Sequence, residues 1–189
     1  MELVLIRHGL PERREDTSDP PLSAEGSGQA QRVARYLAGD RIDAVFSSTM
    51  RRAIQTAEPF AAQSGLPIAT REGIVEFDRG SGAYIPMEEL KRDDYAAWKA
   101  FASGDHGADI VGFQQTVVET LEAIVVAHAG KRVAVFCHGG VVNVWTAHVL
   151  GMAPRLFFEP VYASVHRYLC ASTGQRNIVS LNERCHLTN

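Results

Sequence analysis

Two short apolar runs in this chain end in the same way. Leu3 to Ile6 stops at Arg7-His8-Gly9, and Val133 to Phe136 stops at Cys137-His138-Gly139-Gly140. A third run, Ala44 to Phe46, leads into Ser47-Ser48 and then Arg51-Arg52. Apolar runs this short read as buried strands of a parallel sheet, and ligands bind beyond the carboxyl ends of such strands. Two histidines and at least two arginines then converge on one small volume. Cations crowded together repel unless an anion joins them. A dianionic phosphate suits the set, because each guanidinium can grip it through two parallel hydrogen bonds. Glycine after each histidine lets backbone N–H groups approach closely. A helix starting near Gly139 adds positive field at the same point.

The remaining pattern supplies the elements that must hold these groups. Ser23 is placed to cap a helix in which Ala30, Val33, Ala34 and Leu37 recur at helical spacing, with Gly39 ending it. A helix is expected from about Met50 to Ser64, closed by Gly65, with Pro59 kinking or shortening it. Pro67 to Thr70 reads as a strand, and residues 72 to 87 as irregular. Met87 to Ala102 reads as a helix, followed by a break from Ser103 to Gly107. Val117, Val118, Leu121, Ile124 and Val125 form an apolar stripe that ends at Gly130. A helix follows Cys137-His138-Gly139-Gly140, up to Leu150 with Gly151 behind it, and the tail from Val165 to Leu181 has room for two strands. Strands alternating with helices predict an α/β fold: a three-layer α/β/α sandwich with a mostly parallel central sheet. No repeat, low-complexity run or linker interrupts residues 1–189, so one domain is expected.

At 189 residues the chain can bury a substantial core. Its net charge of −3 gives no support to a nucleic-acid partner or a membrane surface, so attraction for anions must be local. The three cysteines, Cys137, Cys170 and Cys185, show no zinc or redox spacing and suggest a reducing compartment. The first apolar run is too short for a signal sequence or a membrane span, and a cytoplasmic location is expected. No metal-ligand cluster is evident, and no cofactor is expected. Oligomeric state is not readable.

The chain resembles the histidine phosphatase superfamily, the phosphoglycerate-mutase-like proteins. The resemblance rests on Leu5-Ile6-Arg7-His8-Gly9, on Pro21-Leu22-Ser23 with Gly26, Gln29 and Ala30, on Ser47 through Ala57, and on Cys137-His138-Gly139-Gly140, in the family's order. It implies a phosphatase working on a small phosphorylated metabolite. It casts His8 as the nucleophile, with Arg7, Arg52, His138 and Gly139 around the phosphate and His138 assisting catalysis. Arg52 rather than Arg51 matches the family's arginine, because it directly precedes Ala53-Ile54-Gln55-Thr56. The family also supplies a carboxylic acid after the third strand. Glu76, with Gly80 four residues on, fits that E-x-x-x-G pattern better than Glu72.

The sequence departs from the family in two places. Leu10-Pro11-Glu12-Arg13-Arg14 replaces the mutases' polar residue and phosphate-contacting Asn, and Asp78 to Tyr84 replaces the aromatic W-E-G of many small phosphatases. The length leaves no room for the mutase insertion. Arg13, Arg14, Arg79 and Tyr84 are therefore the candidate substrate-binding residues: the arginines would suit a second anionic group, while Arg13 and Arg14 read equally as solvated loop charges. Phosphoglycerate mutation, or phosphate-ligand binding without turnover, are the competing readings. His106, His128, His148, His166 and His186 read as structural or surface residues.

Overall fold

The computed structural model describes residues 1–77, 79, 82, 84, 85, 87–102 and 109–187. The strands are β1 (Glu2–Arg7), β2 (Ala44–Ser48), β3 (Ile68–Arg71), β4 (Arg132–Cys137), β5 (Val165–Cys170) and β6 (Arg176–Glu183). The helices are α1 (Ala24–Leu37), α2 (Arg51–Ser64), α3 (Met87–Asp93), α4 (Tyr95–Ala102), α5 (Ile110–Ala127) and α6 (Gly139–Val149). The strands form one sheet in the order β3-β2-β4-β1-β5-β6. The β3–β2, β2–β4 and β4–β1 pairs are parallel, whereas β1–β5 and β5–β6 are antiparallel.

Successive strand residues point to opposite faces, so each inner strand supplies two cores. Leu3 and Leu5 of β1 pack with Val117, Leu121 and Ile124 of α5 and Val141 and Trp145 of α6. Val4 and Ile6 face the other way, against Val33, Ala34 and Leu37 of α1 and Ala57 and Phe60 of α2. The result is an α/β/α sandwich. α5 is long and apolar enough by composition to cross a bilayer, but its Val117, Leu121, Ile124 and Val125 stripe is buried against the sheet.

The ends of several elements follow the local chemistry. The Ser23 hydroxyl accepts the Gly26 N–H at 3.0 Å, and Gly65 closes α2 at φ 72°. α2 continues past Pro59 to Ser64 rather than stopping short. The stretch 87–102, expected as one helix, is two. Asp94 restarts the chain by accepting the Ala97 N–H at 2.9 Å, a side-chain cap that competes with continuation of the first helix. The expected break at Ser103 to Gly107, with His106 and Gly80, lies outside the described residues.

The register of β1 on β4 is the feature that builds the site. Arg7 lies opposite Cys137, and the His8 N–H donates to the Cys137 carbonyl at 2.9 Å. The two histidines therefore leave the sheet side by side. The chain beyond His8 is pinned onto α1 and α2. Gly9 N–H donates to Thr56 Oγ1 at 3.0 Å, Leu10 N–H to Gln29 Oε1 at 2.8 Å, and Ser23 Oγ to the Leu10 carbonyl at 2.9 Å. A side chain on Gly26 would collide with the Leu10 carbonyl, and one on Gly9 would come within 2.6 Å of the Gly26 carbonyl. Both obstacles are backbone and cannot swing away. Gly26→Ala is accordingly expected to destabilise the protein by about 1–3 kcal/mol in urea unfolding. Gly28→Ala, two residues along the same helix and near only the Arg32 guanidinium at 3.7 Å, is expected to be neutral or stabilising. Equal effects at the two positions would show that this loop packing is not a constraint.

Candidate active site

β1, β2 and β4 end beneath one cavity of about 360 Å3. Arg7, His8, Arg52, Glu76, Gly139 and Gly140 line its inner end. His8 Nδ1 lies 2.8 Å from the Gly9 carbonyl. A carbonyl only accepts, so Nδ1 carries the proton and Nε2 presents the lone pair. Arg52 Nε donates to that Nε2 at 3.3 Å. Burial first, then the charges of Arg52 and Arg7, hold the His8 pKa well below 6.5. His8 is therefore a neutral imidazole with its nucleophilic nitrogen aimed among cations.

His138 lies beside it, with ring centroids 5.1 Å apart, and its Nε2 is 2.7 Å from Ser48 Oγ. That hydroxyl also accepts the Met50 N–H at 3.2 Å. Nδ1 of His138 is buried with no hydrogen-bond partner among the described residues. If Ser48 donates its hydrogen to Nε2, Nδ1 is left as an N–H donor available to a bound anion. Burial, Arg52, His8 and Arg7 hold the His138 pKa well below 6.5 as well.

Two tyrosines brace the arginines. The Arg7 guanidinium sits 3.7 Å from the Tyr162 ring centroid and donates to the Pro160 carbonyl. The Arg52 guanidinium sits 4.9 Å from the Tyr84 ring centroid and donates to the Ser18 carbonyl at 2.9 Å. The two phenols hydrogen-bond to each other at 3.0 Å, and burial drives the Tyr84 pKa well above 10, so its hydroxyl keeps its proton. Glu76 is held by two backbone donors, Phe77 N–H at 3.1 Å and Gly140 N–H at 2.9 Å. Its rival Glu72 is exposed and ion-paired to Arg79.

The structure thus brings together Arg7, His8, Arg52, Glu76, His138, Gly139 and Tyr84. Arg51 is exposed, whereas Arg52 is fully buried. Three candidates need correction: Arg13, Arg14 and Arg79 do not line the cavity. Arg13 pairs with Glu89 at 3.1 Å and Glu15 at 3.2 Å, Arg14 pairs with Asp16 at 2.7 Å, and Arg79 pairs with Glu72. The Arg14 contribution is through its backbone. Arg14 and Tyr84 exchange N–H···O bonds of 2.8 and 3.2 Å, which set the Tyr84 ring over Arg52.

A match to the family model of the histidine phosphatase superfamily (branch 1) covers residues 3–184. The chain belongs to that superfamily. Phosphoglycerate mutase-like protein 4 of Arabidopsis thaliana is 33% identical over 156 residues, 75% of this chain and 68% of the relative. Phosphoserine phosphatase 1 of Hydrogenobacter thermophilus is 25% identical over 99% of this chain and 94% of its own length. Among solved structures, Bacillus stearothermophilus YhfR superposes with a TM-score of 0.83 at 25% identity, covering 99% of both chains. A phosphoserine phosphatase from Entamoeba histolytica, bound to phosphoserine, reaches 0.79 at 25% identity over 99% of both chains.

Within this histidine phosphatase superfamily chain, several positioning residues had little sequence signal. Tyr162 comes from the loop before β5, and Phe157 and Phe158 from the loop after α6. Asn143 had one: it is a lone amide in the apolar run Val141 to Trp145. Its side chain accepts from the Phe157 and Phe158 N–H groups at 2.9 and 3.2 Å. It also donates to the Gly139 and Phe158 carbonyls at 2.9 and 3.0 Å.

The buried histidines make a prediction about stability. His8, His138 and His166 are neutral in the fold, the last because burial and then Arg7 push its pKa down to about 3. In the unfolded chain each takes a proton near pH 6.5. Below that pH the unfolded state binds more protons, so stability is fully present above pH 6.5 and is lost as pH falls toward the folded values. Each histidine contributes about 1.4 kcal/mol per pH unit. Urea unfolding at pH 7.5, 6 and 5 should show a steep decline below pH 6.5, and a flat profile would contradict the burial of neutral histidines.

Proposed function

We propose that this protein is a metal-independent phosphomonoesterase that works through phospho-His8. The observation that carries the reading is the His8 geometry: a neutral imidazole, Nε2 outward, with two arginines at the same cavity floor. Nε2 attacks phosphorus in line with the departing alkoxide, and the N–P bond forms as the P–O bond breaks. Arg7, Arg52, the N-terminus of α6 and Nδ1 of His138 hold the phosphoryl oxygens, where charge accumulates in the transition state. Arg52 Nε passes from His8 to the phosphate as the lone pair is used. Glu76 gives its proton to the alkoxide and then takes one from the water that cleaves the N–P bond.

The small phosphorylated substrate, the cytoplasmic setting and the absence of nucleic-acid or membrane partners belong to the same reading. The names of the phosphatases among its relatives support the phosphatase activity in this reading. The test is phosphate release from a panel of phosphomonoesters in the presence of EDTA. Release that survives EDTA is expected. Loss of all release on chelation, or conversion of 3- to 2-phosphoglycerate with little phosphate released, would overturn the reading.

A further inference from the structure

The cavity has two unlike ends. Beyond the polar floor its walls are Phe77, Trp98, Leu156, Phe157 and Phe158. Among the described residues, the charged side chains at that outer end are Lys91 and Glu159, and they face each other at 3.9 Å. Lys91 Nζ also lies 4.5 Å from the Trp98 ring centroid. The rim cation among the described residues, Lys91, is therefore already shared between a carboxylate and an aromatic face. The arginines that would have welcomed a second anion are ion-paired elsewhere on the surface. The aromatic wall is also fixed in place. Asn143 ties the backbone of Phe157 and Phe158 to Gly139, the first residue of the helix whose N-terminus lines the cavity.

We propose that the outer end is a leaving-group subsite for an uncharged apolar alcohol, such as one bearing an aromatic ring, and that it disfavours leaving groups carrying a carboxylate. The proposal rests on the phosphatase reading and adds the substrate class. A carboxylate there meets Glu159 and must draw Lys91 from two partners, whereas a hydrocarbon meets matching surface. The volume of about 360 Å3 sits at the lower end of the roughly 300–1,000 Å3 of small-molecule sites, which suits a phosphate plus one ring-sized group. Each buried methylene is worth about fourfold in affinity, so a phenyl group should gain about tenfold to a hundredfold.

The test uses three primary alkyl phosphates with leaving groups of matched acidity: propyl, 3-carboxypropyl and 3-phenylpropyl phosphate. The expected order of kcat/KM is phenylpropyl above propyl by about tenfold to a hundredfold, with carboxypropyl below propyl. In Trp98→Ala the phenylpropyl-to-propyl ratio should fall toward one, and in Glu159→Gln the carboxypropyl deficit should shrink. Equal rates on all three substrates, or preference for carboxypropyl, would overturn the subsite while leaving the phosphatase reading intact. Failure to hydrolyse any of the three would overturn both. The wild-type ratios decide the matter even if a variant fails to fold.

Discussion

His8→Ala is expected to remove turnover and the covalent phosphoenzyme together, with a loss of about 10⁴-fold or more in kcat. The size of the effect follows from what alanine takes away. Without Nε2 the only route left is direct attack by water, assisted by the cationic floor. Rapid quenching with labelled phosphomonoester should trap acid-labile, base-stable phosphate on wild type, as expected for an N–P bond, and none on the variant. The variant should remain folded. The imidazole is buried beside two guanidinium groups, so its removal relieves desolvation and leaves the Gly9 and Leu10 N–H bonds to Thr56 and Gln29 in place. The urea midpoint of His8→Ala at pH 5 should also fall less, relative to pH 7.5, than that of wild type, because one depressed histidine is gone. Turnover within tenfold of wild type in a folded His8→Ala protein would rule out the covalent route. Label retained on that variant would place the nucleophile elsewhere.

The floor of this site was readable because backbone register builds it. Two apolar strands ending in histidine can be recognised without a structure, and parallel pairing of Arg7 with Cys137 then places His8 beside His138. The choice of Arg52 over Arg51 was readable from the neighbouring motif residues, and burial of one but not the other agrees with it. The walls were not readable in this way. Whether a loop arginine enters a pocket depends on which carboxylate is nearer. For Arg13 that carboxylate is Glu89, 76 residues away on α3. No local pattern reports that pairing, although Arg13 and Arg14 also pair with Glu15 and Asp16, two residues along the chain. Pro11 to Arg14 looked like a binding loop because of its charges, but its contribution is a pair of backbone hydrogen bonds that seat Tyr84. The aromatic wall is carried by a loop, whose path no periodicity describes, and its one sequence trace was the amide of Asn143 inside an apolar helix. The split of the 87–102 helix turned on a single capping aspartate, which competes with helix continuation only once the backbone has turned.

The role of Glu76 can be separated from that of the phosphate floor by Gly140→Ala. A methyl group at Gly140 would collide with Glu76 Oε1 and lie 2.8 Å from Phe77 Cδ1. The position is helical, and alanine favours helix over glycine by about 1 kcal/mol, so α6 itself should not be weakened. The added methyl should therefore push the carboxyl away from its seat. Loss of acid–base assistance costs about 10²–10⁴ in rate, and Gly140→Ala should lose about that much on alkyl phosphates, whose alkoxides need a proton. Glu76→Gln should do the same without moving the backbone. On 2,4-dinitrophenyl phosphate the leaving group departs without a proton, so phosphorylation of His8 should stay fast in both variants. Water attack on phospho-His8 still needs a base. Both should therefore show a burst of dinitrophenolate equal to the enzyme present, followed by slow turnover. A phosphate dianion beside the carboxyl favours its protonated form, which lets one group act as acid before the P–O bond breaks and as base after the alcohol has left. A burst as slow as the alkyl reaction would mean that the methyl group had disturbed the phosphate floor instead. If Glu76→Gln shared that slow burst, Glu76 would be holding the Gly140 turn in place rather than moving protons.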